Sequence, residues 1–224
     1  MNHHIFLVPD ALPDRIASLV EPFTVATRAA KRAQPQLGET AIVFGAGTIG
    51  IGTALALRHL GCSKIMIVDL VDFRLSIAAS LGFETCNSNS EDLKTKAMTI
   101  FGTAPSMSGP TANVDIFIDA AGDTPLVDTY KSIGKIFSRM VIVAVYAEPA
   151  PLDLASLVFS SHSLIGSGGY LPEDVATVFA ILEQEGSSLE AIVTHEFPLT
   201  EIIEALETAS DRSTALHVSI VYPP

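Results

Sequence analysis

From Thr40 onward, short unbroken runs of β-branched and apolar residues alternate with stretches whose apolar positions recur at helical spacing. The pattern predicts a buried strand over Thr40–Phe44 and a helix over Ile49–Leu60 stopped by Gly61. A second buried strand, Lys64–Leu70, leads to a helix over Asp72–Leu81 that ends at Gly82. A weaker strand near Glu84–Cys86 precedes a helix over Glu91–Phe101. The segment Gly102–Asn113 is polar and aperiodic, and reads as a flexible surface insertion. The alternation then resumes: strand Val114–Asp119, helix Pro125–Ile133, strand Met140–Tyr146, a helical piece over Leu152–Phe159, strand Ser163–Ser167 and helix Pro172–Glu185.

Strands that are apolar throughout, interleaved with helices, belong in a parallel sheet covered on both faces. The expected fold class is therefore α/β, a doubly wound six-stranded parallel sheet with its topological switch beside the first strand. Both ends of the chain depart from this pattern. Residues 1–39 are mostly helical and end in the linker "QPQLGE", whereas residues 187–224 read as strand Ala191–Phe197, helix Thr200–Ser210 and strand Ala215–Tyr222. Thr200, followed by acids, marks a capped start for that last helix. The expected division is 1–39, a core over 40–186, and 187–224.

Composition narrows the partners. Of the 224 residues, 48% are hydrophobic and only 17% charged, and the mean hydropathy is +0.41, so extra buried surface at a subunit or domain contact is expected. A net charge of −12 with 13 Lys and Arg argues against nucleic acid or an anionic membrane as partner. Cys62 and Cys86 form neither a disulfide framework nor a C-x-x-C pair, which suits a reducing, cytoplasmic setting. The opening "MNHHIFLVPD" shows no secretory signal. The uncharged run Thr40–Leu57 approaches the length of a membrane span, but its glycines and its strand-then-helix pattern favour a buried core.

Those glycines form G-x-G-x-x-G at Gly45, Gly47 and Gly50. If a dinucleotide binds, Gly45 permits the tight turn and Gly47 admits the pyrophosphate. Gly50 lets the helix pack on the sheet, and the opening residues Thr48 and Ile49 aim their amides at the anion. A ligand-free strand–helix corner would use glycines too. What favours the ligand is Asp69, which ends the next strand nineteen positions beyond Gly50, where an acid meets the adenosine ribose hydroxyls. That carboxylate would repel a 2′-phosphate and so favours NAD over NADP. Arg74 could hold a phosphate, lie over the adenine, or simply face solvent. Small residues Ala121 and Gly122 leave room for the second ribose, and Val145 and Ser167 stand at later strand ends, near a nicotinamide.

The segments "GETAIVFGAGTIG", "VDLVDFRLSIAASLG", "VDIFIDAAG", "SLIGSGGYLPED" and "THEFPLTEIIEALETA" together resemble the zinc-dependent medium-chain dehydrogenase/reductase superfamily, closest in flavour to butanediol, sorbitol and threonine dehydrogenases. The resemblance runs through nearly the whole chain. It implies an NAD-binding doubly wound domain, a terminal strand–helix–strand that returns to a catalytic domain, and sheets paired edge to edge in a homodimer or larger homo-oligomer. It also implies that most of a zinc-bearing catalytic domain is missing. Glu21-Pro22 resembles the family's Glu-Pro whose carboxylate lies at or near the catalytic zinc; capping a helix is the plainer role.

The residues themselves agree on the missing part. Zinc-assisted alcohol oxidation needs three protein ligands and one open position. Cys62, Cys86, His3, His4, His59, His162, His195 and His217 offer no ligand spacing, and Tyr130-Lys131 are adjacent rather than one helical turn apart. Catalytic residues are therefore not assignable, and zinc is expected to be absent. Two functions stay open: an NAD-linked alcohol or polyol dehydrogenase with a small-molecule substrate, lacking its catalytic part, and a non-catalytic NAD(H)-binding module or sensor. A methyltransferase fits less well, because Val43-Phe44 stand where such enzymes usually carry an acid before the glycines.

Overall fold

The computed structural model describes residues 5–222, so His3 and His4 lie outside it. Its centre is a six-stranded parallel sheet in the order β3-β2-β1-β6-β7-β8. The strands are β1 (Thr40–Phe44), β2 (Lys64–Asp69), β3 (Glu84–Asn87), β6 (Ile116–Asp119), β7 (Arg139–Ile142) and β8 (Ser163–Gly166). Strand order reverses at β1, whose neighbours are β2 and β6, which is the expected switch point.

Helices cover both faces. On one, α2 (Val20–Arg32), α3 (Thr48–His59) and α8 (Pro172–Glu185) enclose a core containing Phe23, Leu55, Ile67 and Ile181. On the other, α5 (Leu93–Phe101) and α6 (Pro125–Ile133) enclose Phe44, Phe117 and Tyr130. α2 and α3 lie so close that a Cβ on Gly52 would come within 2.8 Å of the Phe23 ring. The fully buried Asp174 caps the start of α8 through the Leu171 amide and pairs with Lys31 of α2 at 2.9 Å. That bond fastens the N-terminal segment, which also contains the short α1 (Asp14–Ala17), to the core.

Three expectations need correction. Gly102–Asn113 is not an irregular insertion but an antiparallel hairpin of β4 (Thr103–Ser106) and β5 (Gly109–Ala112). It is anchored where the buried Thr111 hydroxyl donates to the Ile133 carbonyl at 2.6 Å. Its opposed prolines, Pro105 and Pro110, concealed the strand pattern. Second, β7 ends at Ile142 rather than running to Tyr146, because the amides of Val143 and Ala144 both turn to the Asp119 carbonyl. Third, Thr200 caps nothing: it sits in a 3₁₀ turn, and α9 (Ile202–Ser210) begins after Glu201 without a side-chain cap.

The C-terminal strand–helix–strand is present as β9 (Val193–Pro198), α9 and β10 (His217–Val221), with β9 and β10 parallel in a sheet of their own. Arg15 of α1 ties this unit to the N-terminal segment by pairing with Glu196 and donating to the Val193 carbonyl. Apolar side chains stand exposed in both terminal regions, among them Ile5, Leu7, Leu199, Ile203 and Leu206. No described helix is long and apolar enough to cross a membrane.

Candidate functional site

The carboxyl ends of β1, β2 and β6 open into a cavity of about 650 Å³. Its floor is Gly45 and Gly47, one wall is Asp69, Leu70 and Arg74, and the other is Ala120 to Asp123 with Leu126. The sheet ladder carries past the strand ends to build this floor: the Gly45 amide donates to Val68 and the Ala120 amide to Phe44.

The three motif glycines differ in their surroundings. Gly45 has φ +98°, and a Cβ there would press on the Ala120 carbonyl at 3.1 Å. At Gly50 a Cβ would lie 1.8 Å from the Gly45 oxygen, so the helix can rest on the turn only without a side chain. Gly47 is different. Its φ of −77° suits any residue, and the nearest atom a Cβ would meet is Arg74 Nη1 at 3.9 Å. The backbone therefore does not require glycine there, while the space in front of it stays open. Gly47 caps α3 with no side-chain bond, leaving the first-turn amides of Thr48, Ile49 and Gly50 free of any capping side chain. Such an end favours an anion.

Asp69 grips the loop itself. Its Oδ2 accepts the Ala46 amide at 2.6 Å, and Oδ1 accepts the amides of Leu70 and Val71. Arg74 stands on the same wall, half-buried, donating from Nη2 to the Ala215 carbonyl at 3.0 Å while its buried Nε has no partner among the described residues. Burial pushes its pKa down; Asp69 opposes that and Arg212 adds to it. Two guanidiniums thus face one cavity, and Arg212 forms no ion pair among the described residues.

Of the residues singled out from sequence, Gly45, Gly47, Asp69, Arg74, Ala121 and Gly122 line this one cavity. The others lie around or beyond it. The Thr48 hydroxyl donates to the Leu216 carbonyl, bracing α3 against the C-terminal unit. Val145 is 94% exposed past the end of β7, and its carbonyl lies 3.0 Å from where a Cβ on Gly122 would stand. Ser167 follows β8, its amide bonded to Ile142 and its buried hydroxyl unpartnered.

Two participants escaped the sequence. Arg212 arrives from the C-terminal unit, more than 130 residues from Arg74, so no local pattern could place it. Asp119 was legible as an acid closing the apolar strand "IFID". It is fully buried and accepts the amides of Ala121 and Gly122 at 2.9 and 2.8 Å and the Tyr146 hydroxyl.

Among the described residues no three His, Cys, Asp or Glu side chains converge to hold an ion. Glu21 stands exposed in the first turn of α2, and Cys62 and Cys86 are buried, burial pushing the Cys62 thiol up to about 11. His162 bonds the Lys135 carbonyl at 3.0 Å and His217 the Ser18 hydroxyl at 3.3 Å. These residues do not fit a catalytic zinc. The open cradle at Gly47 and the unpartnered Arg74 Nε do fit a nucleotide phosphate.

A doubly wound sheet with a glycine turn, an unblocked helix start and an acid on the next strand is the arrangement found in dinucleotide-binding α/β folds. Residues 48–184 match the model of the zinc-binding dehydrogenase family, and the chain belongs to that family. It is similar to L-threonine 3-dehydrogenase of Anaeromyxobacter sp. (strain K), 26% identical over 205 residues, which cover 91% of this chain and 57% of that protein. Among solved structures, 2R,3R-butanediol dehydrogenase from Bacillus subtilis superposes with a TM-score of 0.84 at 23% identity, over 97% of this chain and 60% of that one. A short chain alcohol dehydrogenase from Escherichia coli CFT073, complexed with NADH, superposes with a TM-score of 0.81 at 21% identity, over 97% and 62%. The chain thus spans about three-fifths of the length of these relatives.

Proposed function

We propose that this chain is the nucleotide-binding part of an NAD-dependent alcohol or polyol dehydrogenase, in which hydride passes between a secondary alcohol and NAD. The open space before Gly47, at the uncapped start of α3, carries the reading. The first-turn amides would take the pyrophosphate, and Asp69, already fixed by three backbone amides, would receive the adenosine ribose. Arg74 and Arg212 would flank the nucleotide and offset its charge. The second ribose and the nicotinamide would follow the strand ends past Ala121 and Gly122 towards Val145 and Ser167.

The alcohol-activating groups would come from residues other than those described, because no ligand cluster stands beside this trough. Calorimetric titration with NADH, NAD⁺ and NADPH tests the reading. Micromolar NADH binding with weaker NADPH binding supports it, and the absence of heat from all three refutes it. Turnover of a small diol by this chain alone would refute the assignment of alcohol activation to other residues.

The chain is further proposed to form a homodimer through β8. Among the described residues no strand pairs with its outer edge, and α7 (Leu154–Ser160), which precedes it, buries none of its residues. Leu154, Val158 and Phe159 are 65–73% exposed. From Leu154 to Leu171 there is no Asp, Glu, Lys or Arg, in a chain of net charge −12. A like-charged second copy is best met by such a neutral face.

A further inference from the structure

The nicotinamide half of the trough lacks the G-x-G-x-x-G turn that shapes the adenosine half. Beyond Ile142 the chain leaves the sheet, and Val145 at its turn is almost wholly exposed. A segment so placed would be free to shift unless something held it. One side chain does: the Tyr146 hydroxyl reaches back to Oδ2 of Asp119, at the end of the neighbouring strand β6.

The other oxygen of that carboxylate is equally committed. Asp119 Oδ1 accepts the amides of Ala121 and Gly122, which form the turn lining the cavity. The Asp119 carbonyl also accepts the amides of Val143 and Ala144. Asp119 therefore joins the Ala121–Gly122 wall to the segment that follows β7, with the Val145 carbonyl lying over Gly122.

We propose that Tyr146 is a positioning residue for the nicotinamide half of the bound cofactor, holding the backbone of residues 143–147 against Gly122 through Asp119. This inference rests on the dinucleotide reading above and deepens it. Without the hydroxyl bond the Val145 segment loses its only side-chain hydrogen bond to β6 among the described residues. The adenosine half, built by Gly47, Asp69, Arg74 and Arg212, does not depend on it. The bond is durable across the working pH range, because burial and the Asp119 carboxylate push the Tyr146 phenol pKa well above its usual value.

The distinguishing experiment compares two ligands on the wild-type chain and on Tyr146→Phe. NADH fills both halves of the trough, and AMP fills only the adenosine half. The variant is expected to bind NADH about tenfold more weakly, the worth of one hydrogen bond to a charged group, with AMP affinity unchanged. Equal NADH affinity in the two proteins would overturn the inference, as would a parallel loss for NADH and AMP, since that marks general loosening of the fold. If the wild-type chain binds AMP and NADH while Tyr146→Phe is indifferent, this inference falls and the nucleotide reading stands. If neither ligand binds the wild-type chain, both fall.

Discussion

Oδ2 of Asp69 accepts the Ala46 amide at 2.6 Å, so the acid that ends β2 braces the glycine turn that follows β1. One residue thus serves the fold and the site together. Asp69→Ala would leave the amides of Ala46, Leu70 and Val71 without their acceptor. The expected cost is about 2 kcal/mol of stability, measured by urea unfolding. With the carboxylate gone, NADH binding should weaken and the preference for NADH over NADPH should shrink. An unchanged NADH to NADPH ratio in Asp69→Ala would show that the acid serves the turn alone.

Gly47 and Gly50 make opposite demands, although the motif treats them alike. A Cβ on Gly50 would collide with the Gly45 carbonyl, so Gly50→Ala should cost about 3 kcal/mol or more. A side chain at Gly47 meets open space at an ordinary φ, so Gly47→Val should keep the fold within about 1 kcal/mol of the parent. It should nevertheless reduce NADH affinity at least about tenfold by occupying the phosphate position. Thermal unfolding and calorimetry on both variants separate the two effects. A Gly47→Val protein that binds NADH like its parent would reduce the corner to plain architecture.

Much of this was legible in the chain because parallel sheets advertise themselves. "TAIVF" and "KIMIVD" are buried on both faces and read as unbroken apolar runs, and the glycine spacing fixes where β1 gives way to α3. Asp69 could be placed by counting from Gly50, since the intervening helix and strand have regular lengths. Legibility failed where long-range contacts decide. Pro105 and Pro110 masked the hairpin that Thr111 anchors, and Arg212 reaches the cavity only because the C-terminal unit folds back over Arg74. Asp119 looked like one more strand end until the partners of both its oxygens could be traced.

Two histidines should make the protein acid-sensitive. Burial lowers the pKa of His162, with hydrogen bonds to the Lys135 and Gly134 backbone opposing, and burial alone lowers that of His217. Each is therefore harder to protonate in the fold than in the unfolded chain, which takes up protons near pH 6.5. Unfolding binds protons on the acid side, so this contribution is complete above about pH 6.5 and is lost as pH falls from there through the folded values. The slope is at most about 1.4 kcal/mol per pH unit for each histidine. Urea midpoints should be level from pH 8 to 7 and fall between about pH 6.5 and 5, above the range where carboxylates titrate. Replacing His217 by Gln should remove part of that fall, and a midpoint constant down to pH 5 would contradict the assignment.

The neutral face of α7 and β8 makes the strongest claim about assembly. Phe159 is 68% exposed, so Phe159→Glu removes little packing within one chain and should leave the circular dichroism and urea midpoint of the monomer intact. In a two-fold contact the same change would bring two like charges into an apolar seam. A stable dimer of standard size needs about 800 Å² from each partner, and a strand edge flanked by Leu154, Val158 and Phe159 provides a continuous start for it. Sedimentation should therefore give the wild-type chain twice its 23.7 kDa mass and the Phe159→Glu chain the single mass. If the wild-type chain sediments as a monomer at micromolar concentration, the proposed dimer is wrong.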